Sequence, residues 1–168
     1  MIFVVTGVHE HGFNRLVKAV DDLAREKVIH DVVVQTGFST YRPRHCRWRK
    51  AFDFGEFEIC MEKADLIITH AGAGCVAGAL ERGKRTILVP RLKKYNEHNN
   101  DHQLELAAAL EAQGRAIIVH DVSELGAAIE RAWTFRPEAR NARSNIPGLI
   151  RQFLEKTAAR RGLRIGCA

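Results

Sequence analysis

The stretch ADLIITHAGAGCVAGALERGK, residues 64–84, decides the fold. Its run Leu66–Thr69 is apolar without polar alternation, as in a strand buried on both faces. His70 and two glycines, Gly72 and Gly74, follow at once, and Cys75–Arg82 then reads as a helix. A strand that feeds a glycine turn and a helix is the repeating unit of a helix-covered parallel sheet. Glycine lets the backbone bend sharply and approach a ligand, and the first N–H groups of the helix behind it lack partners, so such a turn can cradle a phosphate. A ligand-free tight turn needs the same residues.

The pattern extends in both directions. Ile2–Thr6, Asp31–Thr36, Thr86–Pro90 and Ala116–Val119 are further strand candidates. The segment 13–26 places Phe13, Leu16, Val17, Val20, Leu23 and Ala24 on one helical face. Shorter helix candidates cover 57–64, Asp101–Gln113 and Val122–Ala132, and a last one runs through 149–160. We therefore expect an α/β domain, a Rossmann-like parallel sheet of five or six strands with helices on both faces. Residues 1–135 make up this domain, and a loop and helix over 136–168 complete it. Ligands of such sheets bind outside the carboxyl ends of the strands, where the strand order reverses. That directs attention to Gly7–Gly12, Gly37–Lys50, His70–Gly74 and Arg91–Asn100.

Length and composition agree. A chain of 168 residues, 46% hydrophobic and 27% charged, suits one globular domain. No apolar run approaches the roughly 20 residues of a membrane helix. The start, MIFVVTG, lacks the basic region and cleavage site of a signal peptide, so a cytosolic protein is expected. Cys46, Cys60, Cys75 and Cys167 have no CxxC spacing and suggest thiols, not zinc or disulfides. Most of the net charge of +6 sits in Tyr41–Lys50, YRPRHCRWRK, with five Lys/Arg and no acid; Arg160–Arg164 is a smaller patch. A local patch points to an anionic partner at one face, not to a basic domain that coats nucleic acid. Its mixture of arginines with Tyr41 and Trp48 also suits a membrane-surface contact, a single-stranded nucleic acid or a solvated loop.

Other motifs leave alternatives. Gly72-x-Gly74-x-x-Ala77 fits a relaxed dinucleotide fingerprint, but it lies mid-chain and the next strand ends in Pro90-Arg91, not in a ribose-binding acid. No Walker A loop is present. Asn96–Gln103 crowds Glu97, His98, Asp101 and His102 together without a known metal-ligand spacing. Asp101 can cap the helix behind it, and Glu97, His102 and Gln103 suit hydrogen bonding to ribose or sugar hydroxyls. Gly7 and Gly12 bracket a second loop that feeds a helix, where His9, Glu10 and His11 read as hydrogen-bonding surface groups.

Taken together, HAGAG at 70–74, GK at 83–84, ILVPR at 87–91 and EHNNDHQLELA at 97–107 resemble the donor-binding half of two-part glycosyltransferases related to glycosyltransferase family 28. The resemblance covers roughly residues 1–132. It includes small bacterial exopolysaccharide subunits and the soluble subunit of the eukaryotic dolichol-linked GlcNAc transferase. It implies the carboxyl half of a GT-B fold that binds a UDP-sugar and needs neither metal nor other cofactor. The diphosphate would lie at His70, Gly72, Ala73, Gly74 and Cys75, with Gly7, His9 and Arg91 nearby. Glu97, His102 and Gln103 would face the ribose or sugar. The chemistry implied is inverting transfer to a lipid-linked saccharide. A membrane-associated partner would bind the acceptor and recruit this chain to the cytoplasmic face; no catalytic base is assigned here. Alone, the chain would be inactive and expose an apolar patch. Three departures stand out: Gly78 replaces a ribose-binding Glu, the VVTGVHE start lacks a hydroxyl near the phosphate, and Cys75 stands where Ser is common. They keep a non-catalytic enhancer subunit as the alternative.

Overall fold

In the computed structural model, residues 1–136 and Gly148 are described. The last helix, Arg160–Arg164 and nearly all of the 136–168 segment lie outside the described residues. Six parallel strands form one sheet: β1 (Ile2–Val5), β2 (Val32–Gln35), β3 (Arg47–Arg49), β4 (Leu66–Thr69), β5 (Arg85–Leu88) and β6 (Ile117–Ile118). Their spatial order is β3-β2-β1-β4-β5-β6, the doubly wound arrangement expected when helices return the chain to the same edge. β1 holds the centre, with Val5 in register with Gln35 on one side and Thr69 on the other.

The unbroken apolar strands follow from burial on both faces. Helices α1 (Asn14–Arg25) and α5 (Leu125–Thr134) cover one face, where Leu16, Val17, Val20, Leu125 and Ile129 meet Val4, Val34, Ile68 and Ile87. Helices α2 (Phe54–Lys63), α3 (Ala73–Glu81) and α4 (His102–Ala112) cover the other. There Met61 packs with Phe3, Val33 and Ile67, and Val76, Leu106 and Leu110 pack on Leu88 and Ile118. No helix among the described residues is long and apolar enough to cross a membrane.

Three local expectations change. α2 starts at Phe54, three residues early, because the Asp53 carboxylate accepts from Glu56 N at 2.8 Å and caps it. Asp101 does not cap α4: its carboxylate accepts instead from Lys93 N at 2.9 Å, and Asn100 Oδ1 accepts from His102 N. The third is β3, a strand inside the basic stretch expected to be a loop. Its residues are all exposed, so no apolar periodicity marks it. Thr36 N and Gly37 N donate to Arg49 O and Lys50 O at 2.9 Å and hold it as a charged edge strand.

Candidate functional site

The strand order reverses at β1, with β2 on one side and β4 on the other, so the carboxyl ends of β1 and β4 open the ligand crevice of such a sheet. His70, the first residue past β4, fills the floor of this crevice. Its Nδ1 lies 3.2 Å from Val5 O and 3.3 Å from Thr69 Oγ1. A carbonyl accepts only, so the ring hydrogen belongs on Nδ1. Burial first, and then the charge of Arg91, push His70 down to about 4, against the opposing effect of the Val5 bond. The resting imidazole is therefore neutral, with a lone pair on Nε2. Donating from Nε2 to an anion would require the ring to take up a proton.

Two of the expected glycines are explained by this ring. A Cβ on Gly7, whose φ is +80°, would lie 2.7 Å from His70 Cε1 and Nε2. A Cβ on Gly72 would lie 2.8 Å from Cε1 and closer still to Nε2. Both glycines make room for His70. Gly74 differs: a Cβ there meets nothing within 4 Å, so its surroundings are open.

The turn into α3 leaves the helix start exposed to the crevice. Ala71 takes a left-handed φ of +59°, a conformation costly for a residue with a Cβ. Gly72 then occupies the cap position with no side-chain hydrogen bond, and no acid stands in the first turn. Unpaired N–H groups and the helix dipole thus favour an anion beside Ala73 and Gly74. Cys75 turns the other way, against the cluster around Phe3 and Met61. Burial pushes its thiol up to about 11, opposed by a hydrogen bond with Thr69. It stands as a core group, not a phosphate ligand. Gly78 is also directed inward: a Cβ there would meet Arg82 and Met61, so the position of the missing Glu looks toward α2.

Arg91 and Glu97, expected at the ligand, are instead committed to holding loops together. Arg91 is fully buried, and its guanidinium donates to Thr6 O at 2.7 Å, His11 O at 2.7 Å and Glu97 O at 2.8 Å. It thereby ties the end of β1, the loop after it and the loop after β5. Burial pushes it down to about 10, partly offset by Glu97, so it stays a cation. It acts on the crevice through its field. The Glu97 carboxylate, 3% exposed, accepts from Arg15 Nε at 3.0 Å, Arg15 Nη2 at 2.9 Å and Leu92 N at 3.1 Å. Gln103 Oε1 accepts from Arg91 N at 2.9 Å. Arg15 was not among the expected site residues, and it is the partner that fixes Glu97. Its only sequence signal is a basic residue in the first turn of an otherwise amphipathic α1.

The histidines of the two loops meet. His9 stacks on His98 with centroids 4.6 Å apart, lies 5.1 Å from the His11 ring and accepts from His11 N. Burial, Arg91 and His11 all lower the His9 pKa. His11 Nδ1 reaches Asn96 O at 2.9 Å. His102, half-buried at the start of α4, faces Glu105 at 3.7 Å. The crevice thus collects His9, His70, the α3 N-terminus and Gly74, and the field of Arg91 falls on both histidines.

The basic stretch lies apart from it. Asp21, buried in α1, accepts from Arg44 N, His45 N and Tyr41 Oη, and these bonds hold its carboxylate low despite burial. Arg47 pairs with Asp31 and Arg49 with Glu56, while Arg42 lies over Trp48 and Lys50 over Phe38. The expected bare cationic loop is therefore a folded edge with part of its charge paired.

The chain is similar in sequence and fold to several known proteins. The UDP-N-acetylglucosamine transferase subunit ALG13 of Homo sapiens is 46% identical over 54 residues, 32% of this chain and 4% of that protein. A UDP-N-acetylglucosamine–N-acetylmuramyl-(pentapeptide) pyrophosphoryl-undecaprenol N-acetylglucosamine transferase of Solibacter usitatus is 33% identical over 102 residues, 61% of this chain and 26% of the relative. The matched stretches thus span about a quarter of these curated relatives or less. The solution structure of ALG13 superposes with a TM-score of 0.63 at 17% identity, covering 92% of this chain and 94% of the other. MurG of Acinetobacter baumannii gives 0.51 at 20% identity over 96% of this chain and 45% of the other, a likeness of fold. The profile of the glycosyltransferase family 28 C-terminal domain matches residues 1–158, and the chain belongs to that family.

Proposed function

We propose that the chain is the UDP-sugar-binding subunit of an inverting, metal-independent glycosyltransferase that works with a membrane-associated partner on a lipid-linked saccharide. The observation that carries this reading is the open, uncapped α3 N-terminus beside Gly74 at the strand-order switch, in a chain of this family. The diphosphate is held there by backbone N–H groups, and a proton taken from solvent onto His70 Nε2 makes the ring a further donor as the leaving charge develops. Arg91 stabilises that charge from within the wall. The substrate class proposed follows relatives whose names specify UDP-N-acetylglucosamine. The partner brings the acceptor and the base. A groove of about 380 Å³ beside β3, lined by Trp48, Phe52 and Ile59, offers it apolar surface.

Calorimetry with UDP, UDP-GlcNAc, UDP-glucuronate and NAD tests the reading. Saturable UDP binding that is lost in Gly74→Val and absent for NAD is the expected result. UDP binding that Gly74→Val leaves intact refutes the site. The internal commitment of Arg91 and Glu97 favours one second reading, a non-catalytic enhancer that stabilises its partner. That reading requires no UDP binding even in the complex.

A further inference from the structure

We propose a second anion site, for a phosphate-bearing ligand, at the edge of the sheet opposite the crevice. Parallel strands share their N-terminal ends, and a cavity of about 320 Å³ lies where β4 and β5 begin. With four residues per strand, it sits about 13 Å or more from the crevice. Arg82, Lys84, Arg85 and Arg136 line it, with Asp65 the only acid among the lining residues. Asp65 is taken: its Oδ2 accepts from the N-terminal amino group at 2.6 Å.

Two of the cations are held by the protein. Arg82 pairs with Glu58 and donates to Gly78 O, and Lys84 donates to Glu62 O at 2.5 Å. The side chains of Arg85 and Arg136 make no hydrogen bond or ion pair among the described residues, and the Arg85 Nε is shielded from water with no acceptor. That N–H forgoes both solvation and pairing while the rest of the half-buried guanidinium faces the cavity, and an anion bound there would complete it. Like charges around one cavity repel, and a ligand with two or more negative charges relieves this. Paired guanidinium forks match the oxygens of a phosphate or diphosphate. The cavity volume falls within the range of small-ligand sites. The site is independent of the donor reading, since it shares no residue with the crevice.

Inorganic pyrophosphate and vesicles containing phosphatidic acid are the probes, applied to the full chain carrying Gly74→Val so that the crevice does not contribute. Amide shifts of Gly83 to Arg85 and calorimetry report binding, and Arg85→Gln and Arg136→Gln are each compared with the Gly74→Val parent. The expected result is saturable binding weakened at least about tenfold by either change. Arg136→Gln, at a surface position, keeps the test valid if Arg85→Gln perturbs folding. Arginine-dependent binding of pyrophosphate assigns a soluble ligand; arginine-dependent binding of the vesicles alone assigns a lipid headgroup. No binding of either probe, or binding indifferent to both arginines, overturns the site. Pyrophosphate bound only by the chain with Gly74 intact would place all anion binding in the crevice and also overturn it.

Discussion

Gly72→Ala tests the wedge of His70 between two glycines. The φ and ψ of Gly72, −73° and 128°, suit alanine, so the backbone carries no penalty. The cost lies in the ring: the new Cβ falls 2.8 Å from Cε1 and 3.1 Å from Cδ2, against roughly 3.5 Å for an ordinary contact. On its other side the ring stands close to Gly7, where an added Cβ would lie 2.7 Å from it. It must rise into the crevice and give up its bond to Val5 O. Overpacking of this kind costs about 1–3 kcal/mol and the hydrogen bond about 1 kcal/mol, so a total of about 2–4 kcal/mol is expected. For a domain of this size that is a fall in Tm of roughly 5–15 °C. Urea denaturation of four proteins, wild type, Gly72→Ala, His70→Ala and the double variant, gives the coupling between the two positions. Once the imidazole is gone, the added methyl should cost less than about 0.5 kcal/mol. Equal destabilisation in both backgrounds would refute the wedge, because the cost would then arise from something other than the ring.

Two further outcomes follow from the buried charges. Above pH 6.5 His70 is neutral in both the folded and unfolded chain. As pH falls toward 4, the unfolded imidazole takes a proton that the folded one refuses, so up to about 3 kcal/mol of stability is lost across that window. NMR titration of the His70 ring should show no protonation above pH 5, and a midpoint near 6.5 would contradict its placement. Replacing Glu97 by Ala leaves Arg15 with only the carbonyls of Pro90 and His120 and leaves Leu92 N without its acceptor, and should cost about 2–4 kcal/mol by chemical denaturation. A loss under about 1 kcal/mol would show that the carboxylate is dispensable to the loop and free for a ligand.

The sequence alone determined the parallel strands, the helices between them and the glycine turn after β4. Each is written in neighbouring residues: continuous apolar runs record burial on both faces, and the 3.6-residue period of α1 records its single buried stripe. The motifs at 70–74 and 97–107 also carried the family. Roles that depend on distant partners were another matter. Gly72 reads equally well as a phosphate turn or as space for a ring, and the distinction lies in where the His70 ring settles against Val5, 65 residues away. Arg91 and Glu97 read as exposed ligand groups because no side chain near them in the sequence is an evident partner; Thr6, His11 and Arg15 bind them from at least 80 residues away. β3 carries no apolar signal, since an edge strand is held by backbone bonds to its neighbour and keeps its side chains in water. Local pattern records how much of a residue is buried. Which group meets it there is decided only when the sheet brings the loops together.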